Sequence, residues 1–208
     1  IETDEELRRR QALSVAIPSQ NMVNSTLAGI GSVAGVSRYK VYENDTNKAD
    51  ENGVPGHSIA AVVEGGLDEA VAEQIYLRKG PGCGTHGTTT TIYTNSDGLK
   101  NEIRFFRPTY MEITVKVTVR RCAGYTTLVE ENIKRNIALY VGRLGIGANV
   151  TTTGVLTAIA VAVDDALQPS FALQSVQIGR TDGALGVADV DIPYNAIAKS
   201  GTVTVEVV

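Results

Sequence analysis

Between Val54 and Gly87 the chain has to change conformation three times, and few folds tolerate that. The apolar run His57 to Glu64 gives way to Gly65-Gly66, then to a charged amphipathic stretch from Leu67 to Lys79, then to Gly80-Pro-Gly-Cys-Gly-Thr-His-Gly87, with four glycines in eight residues. Ile59 to Val63 is apolar at every position, so neither face can be wet, and a central strand is expected. Asp68 and Glu69 then fall in the first turn of a helix and Arg78 and Lys79 in its last, the charge order that complements the helix dipole. Val71 and Ile75 form its buried stripe, and Gly80 is expected at the C′ position. The following loop is expected to need positive φ at several glycines.

The segments around this stretch extend the same lobe. Thr3-x-x-Glu6 is a capping box for a helix from about Asp4 to Ala16, ended or kinked by Pro18. Ser19 can cap a second helix that puts Met22, Val23, Thr26, Leu27 and Ile30 on one face, released by Gly31 and Gly35. Val36 to Glu43 reads as a strand, and Asn44 to Gly53 as an exposed loop without periodicity. Thr88 to Thr94 and Lys100 to Arg107 read as a hairpin around Asn95-Ser96-Asp97-Gly98. The order in residues 1–107 is therefore α-α-β-β-α-β-β.

Pro108 opens a second lobe, 108–208. Ile113, Val115, Val117 and Val119 alternate with Thr114, Lys116, Thr118 and Arg120, as in a strand with one buried face. Thr127-x-x-Glu130 is a second capping box. The helix after it lines up Val129, Ile133, Ile137, Tyr140, Val141 and Leu144, and Gly145 ends it. A further helix is expected from Thr153 to Ala166, stopped before Pro169. A strand is expected from Phe171 to Ile178, a turn over Gly179 to Gly186, and a last strand carrying Val203, Val205 and Val207. This lobe is β-α-α-β-β, with helices on one face of a small sheet, and the whole is α+β.

Composition narrows the function classes. The 208 residues are 43% hydrophobic and 20% charged, a globular balance, with 5% aromatics and no Trp, so the core is aliphatic. The net charge is −4, and the 19 Lys and Arg cluster only at Arg8-Arg9-Arg10 and Arg120-Arg121, without interleaved aromatics. No nucleic-acid partner is expected. No stretch is long and apolar enough for a membrane helix; the longest, Val155 to Val163, ends at Asp164-Asp165. The chain opens on Ile1 without a signal-peptide pattern, and reads as a piece of a longer protein or a processed one. Two cysteines make no disulfide framework, which favours a reducing compartment.

Groups with chemical potential are few. Cys83 and His86 have C-x-x-H spacing, and His57 and Cys122 would complete a four-ligand zinc set. Cys83 with His86 or His57 is also the one pairing that could make an activated nucleophile. The glycines of 80–87 could let backbone amides approach a phosphate, but the loop follows a helix and lacks the Lys-Ser/Thr ending. The alternative at Cys83 is a small buried side chain in a tight connection. Glu130-Glu131 and Asp164-Asp165 are adjacent on helices, so each pair diverges by about 100° and is expected to be solvated. Asn24, Asn44 and Asn149 each open an N-x-[ST] triplet, read as accidental. Thr88 to Thr91 reads as β-branched strand filling.

A set of landmarks runs through the chain in order: TDEELRRRQAL, GVSRYKVYENDTN, VPGHSIAAVVEGG, KGPGCGTHGTT, IRFFRPT, YMEITVKVTV, GYTTLVEENIKRNIALYV, LGIG and DIPYNAIAKSGTVTVEV. Together they resemble the baseplate J-like proteins of contractile-tailed bacteriophages, over almost all of the chain, with the segment that precedes TDEELRRR in that family absent. The resemblance implies a structural wedge protein of the tail baseplate, located in the virion and in host cytoplasm during assembly. It implies contacts with other wedge proteins and with copies of itself, and no enzyme activity. It carries over no catalytic, cofactor-binding or metal residues and no small-molecule substrate. The competing expectation is a small-ligand or metal-dependent enzyme built on the Cys83/His86 loop.

Overall fold

A computed structural model describes residues 22–162 and 169–208. The expected helix at Asp4 to Ala16, its capping box, its break at Pro18, the cap at Ser19, the run Arg8 to Arg10 and the pair Asp164-Asp165 lie outside the described residues. The protein is α+β, and the chain divides into two compact units, Ile1–Pro108 and Thr109–Val208.

In the first unit α1 spans Met22–Gly31, β1 Val36–Asn44, β2 Ser58–Gly65, α2 Asp68–Arg78, β3 Gly84–His86, β4 Thr89–Thr94 and β5 Lys100–Phe105. β2 is the middle strand of its sheet, antiparallel to β1 (Val41 opposite Ala61) and parallel to β3 (Ser58 opposite Gly84). Ser58 to Val63 are all buried, as the unbroken apolar run requires. Beyond β3 the same edge of β2 is continued by Phe106, which accepts from Val63 N at 2.9 Å and donates to Ala61 O at 2.8 Å. The core gathers Ile30 of α1, Ile59, Ala61 and Val63 of β2, Val71 and Ile75 of α2, and Ile103 and Phe105 of β5. Met22, expected on the buried face of α1, is exposed.

Two landmarks far apart in sequence meet at the start of α2. Gly65 and Gly66 turn the chain with φ of 76° and 71°, a region that costs most L-residues but not glycine. The Arg107 guanidinium donates to Val63 O at 2.9 Å, Gly65 O at 2.5 Å and Gly66 O at 2.8 Å, and pairs with Asp68 in the first turn of α2. A fork of N–H donors satisfies the carbonyls that such a turn leaves pointing outward.

The loop after α2 differs from expectation. Gly80 is not left-handed; α2 ends with Lys79 extended, at φ −65° and ψ 146°. Only Gly82 of the four loop glycines has positive φ. Gly84 and Gly87 are there for space. A Cβ on Gly84 would sit 2.5 Å from Ser58 Oγ, and one on Gly87 would overlap the Phe105 backbone. The loop is thus partly a strand, β3, which adds one strand to the expected order. The β4–β5 hairpin forms as expected, with Asn95 Oδ1 accepting from Asp97 N and Leu99 N and Gly98 at φ 77°.

The segment read as an exposed, unpatterned loop also differs, because its first residue is buried. Asn44 closes β1 at 3% exposure. Its Nδ2 donates to Lys48 O and Val54 O, both at 2.7 Å, and its Oδ1 accepts from Thr46 N and Thr46 Oγ1. One amide side chain therefore organises the run to Val54 by using every donor and acceptor it has.

In the second unit β6 spans Thr109–Arg121, α3 Thr127–Arg143, α4 Thr152–Ala160, β7 Phe171–Arg180 and β8 Ala196–Val207. β6 is central, antiparallel to β7 and parallel to β8. Ile113, Val115, Val117 and Val119 are fully buried against Val129, Ile133, Ile137 and Val141 of α3 and Val155 and Ile159 of α4. Burial of each such side chain contributes about 1.5–3 kcal/mol, so this seam dominates the unit. Gly154 lets α4 approach α3, since a Cβ there would strike the Tyr140 hydroxyl.

Three local expectations are corrected. The capping box at Thr127 is absent: Thr126 is the N-cap without a side-chain bond, and Glu130 instead pairs with Lys134 at 2.7 Å. α4 ends at Ala160 instead of Ala166, capped at its start by Thr151 accepting from Gly154 N at 3.1 Å. The strand expected to stop at Ile178 continues to Arg180, so the turn is shorter than Gly179 to Gly186.

Candidate functional site

The first unit holds a cleft of about 280 Å³ lined by Glu43, Asp45, His57, Ser58, Gly82 and Cys83 among others. It sits where β1 ends and β2 begins, beside the loop after α2. His57 has φ 52°, the one non-glycine residue with positive φ among the described residues. It is held there on three sides: its N–H donates to Thr46 O at 3.2 Å, its carbonyl accepts from Gly84 N at 2.9 Å, and its Nε2 meets Asn47 Oδ1 at 2.7 Å.

Cys83 and His57 therefore share a cleft, but their reactive atoms are occupied otherwise. Cys83 Sγ donates to Gly84 O at 3.4 Å. Burial pushes the Cys83 thiol up from its ordinary pKa, Lys79 pulls it down, and Glu43 adds to the rise. A protonated thiol is a poor nucleophile and a poor metal ligand. Lys79 spends its ammonium on the Cys83 carbonyl at 2.8 Å.

His86 does not join them. Its ring packs edge-on against Phe106, 5.4 Å between centroids. Cys122 belongs to the other unit. Among the described residues no three His, Cys, Asp or Glu side chains are grouped as a metal site. The zinc set and the activated Cys–His pair that the spacing allowed are thus not assembled in this arrangement. Two of the glycosylation triplets have engaged side chains: Asn44 as above, and Asn149, which donates to Asp191 Oδ1 at 2.7 Å and accepts from Ile192 N at 2.9 Å. Arg121 lies over the Tyr125 ring at 5.4 Å.

The second unit offers surfaces of another kind. A groove of about 480 Å³ between α3 and α4 is lined by Leu139, Tyr140, Leu144, Ala158 and Val161, with Arg143 and Asn136 among its polar members. Leu139 is 50% exposed and Val161 73%. Across the sheet, β8 forms one edge and pairs with β6 alone among the described residues. No helix among the described residues is long and apolar enough to cross a membrane.

No protein-family model matches the chain, and no match to a curated protein was found.

Proposed function

We propose that the chain is a structural component of a contractile phage-tail baseplate, acting in the wedge through protein–protein contacts and not as an enzyme. Its partners are other wedge proteins and copies of itself, in the virion and, during assembly, in host cytoplasm. The observation that carries this reading is the ordered set of sequence landmarks that resembles the baseplate J-like family.

The placement of those landmarks supports it. IRFFRPT and VPGHSIAAVVEGG interlock through Arg107 and the Gly65-Gly66 turn. KGPGCGTHGTT lies against Ser58 and Phe105 through glycines that admit no side chain. The signature is thus spent on close backbone packing within a rigid unit. Exposed apolar side chains on α3 and α4, and a sheet edge uncovered among the described residues, are features of surfaces that meet other proteins.

The test is immunogold labelling of purified contractile tails with antibody raised against this chain, alongside mass spectrometry of the same particles. Label confined to the baseplate end and peptides from the chain are expected. Intact tails free of both would refute the assignment.

A further inference from the structure

We propose that β8 is a homotypic docking edge: two copies of the chain pair their β8 strands antiparallel about a two-fold axis through Thr204. The result is a continuous sheet in the order β7-β6-β8-β8-β6-β7.

The two edges of this sheet are treated differently. On β7, Ile178 donates to Gly186 O at 2.7 Å and accepts from Gly186 N at 2.9 Å, so the turn folds back over that edge at its Ile178 end. Among the described residues β8 is engaged in this way only at its first residue, Ala196 O accepting from Gly147 N at 2.9 Å. The register with β6 then slips once, between Ile113–Ser200 and Val115–Val203, and is regular to Val207. From Thr202 to Val208 the edge has no Pro and no Lys, two residues that commonly protect an exposed strand from pairing, and a single charged side chain, Glu206.

The sequence of this stretch selects the partner. An isologous contact must be complementary to itself. Read from Thr204 in both directions, the strand places Val203 opposite the second copy's Val205, Thr204 opposite Thr204, and Thr202 opposite Glu206. The valines lie on the core face, half-buried and packed against the core, which leaves part of their surface exposed. A second copy covers it with the same side chains. On the other face the stretch's only charge, Glu206, is already paired with Lys116 at 2.9 Å and meets a threonine instead of its own copy. Like charges directly opposite would oppose pairing, and this register avoids them.

The test uses the chain with Cys83→Ala and Cys122→Ala, so that introduced thiols are the only ones. In an antiparallel pair centred on Thr204, Thr204→Cys faces itself within the separation a disulfide needs, about 4.4–6.8 Å between Cα atoms. Thr202→Cys does not face itself but faces Glu206→Cys. The expected result is a disulfide-linked dimer from Thr204→Cys, none from Thr202→Cys alone, and a linked heterodimer when Thr202→Cys and Glu206→Cys are mixed. Sedimentation velocity of the unmodified chain should show a concentration-dependent dimer. A monomer at every concentration, or Thr204→Cys cross-linking no faster than Thr202→Cys, overturns the proposal. The edge gives the proposed self-contact a surface without depending on the tail: a monomeric chain in labelled tails refutes the pairing alone, and a linked dimer missing from tails refutes the assignment alone.

Discussion

Replacing Asn44 tests whether one side chain builds the cleft-forming loop. Asn44→Ala removes four hydrogen bonds, two from Nδ2 at 2.7 Å and two to Oδ1. At about 0.5–1.5 kcal/mol each, their sum overstates the loss. Val54 O keeps Asp50 N at 3.1 Å and Lys48 O keeps Thr46 Oγ1 at 2.9 Å, and exposed Thr46 can turn its N–H to water. The expected cost is about 2–3 kcal/mol for the first unit. With a urea slope of about 1–3 kcal/mol/M, its unfolding midpoint should fall by roughly 0.7–3 M. Asn44→Asp should be worse at neutral pH, because a carboxylate oxygen then faces two carbonyls in a buried position. That penalty should shrink on acidification: the folded carboxyl, its pKa raised, is protonated at a pH where the unfolded one is still ionised. Urea denaturation and amide exchange at Thr46, Asp50 and His57 measure both effects. An Asn44→Ala midpoint close to that of the parent, with those amides still protected, would refute the reasoning.

Two other expectations concern unpartnered or shifted groups. The Tyr125 hydroxyl is buried with no hydrogen-bond partner among the described residues. Tyr125→Phe should therefore raise stability by about 1 kcal/mol in urea denaturation, since an unsatisfied buried hydroxyl costs its desolvation, and a loss of similar size would show a missed partner. The Cys83 thiol, raised chiefly by burial, should react with iodoacetamide more slowly than free cysteine at neutral pH and gain rate only at higher pH than a free thiol does. Because its folded pKa lies above the unfolded one, its contribution to stability is present below the unfolded thiol's pKa and is lost as pH rises through the folded value. A Cys83 rate above that of free cysteine at neutral pH, mapped by peptide mass, contradicts this.

Where a pattern repeats, the sequence is a good guide to the fold. The alternation from Ile113 to Val119 and the apolar run of β2 bury the side chains expected, and the α3 stripe buries Val129, Ile133, Ile137 and Val141 while Tyr140 and Leu144 stay half-buried, because area taken from water outweighs local preference. Single-residue signals fared less well. Thr127-x-x-Glu130 has the right letters for a capping box, yet the helix starts with Thr126 as its N-cap, and Glu130 finds Lys134 one turn on. The loop glycines suggested positive φ, while Gly84 and Gly87 serve backbone approach, which depends on partners distant in sequence. The same limit hid Asn44 and Arg107. Each is an ordinary polar letter whose importance comes from carbonyls that only the fold brings within reach.

For the cleft, sequence proximity misled in a specific way. Cys83 and His86 are three residues apart, but β3 between them is a strand, and the register pairs Gly84 with Ser58 and His86 with Ala60. That pairing carries the imidazole along the strand to Phe106 and leaves Cys83 at the strand's beginning, beside His57. The nearer histidine is then fixed by its own left-handed backbone and by Asn47, so bringing its ring to the thiol would mean breaking the Asn47 contact and re-forming the Asn44-anchored loop. A catalytic pair needs its groups placed in advance. Here the fixed geometry holds the thiol on Gly84 O and the imidazole on Asn47 Oδ1, in bonds other than the one such a pair requires.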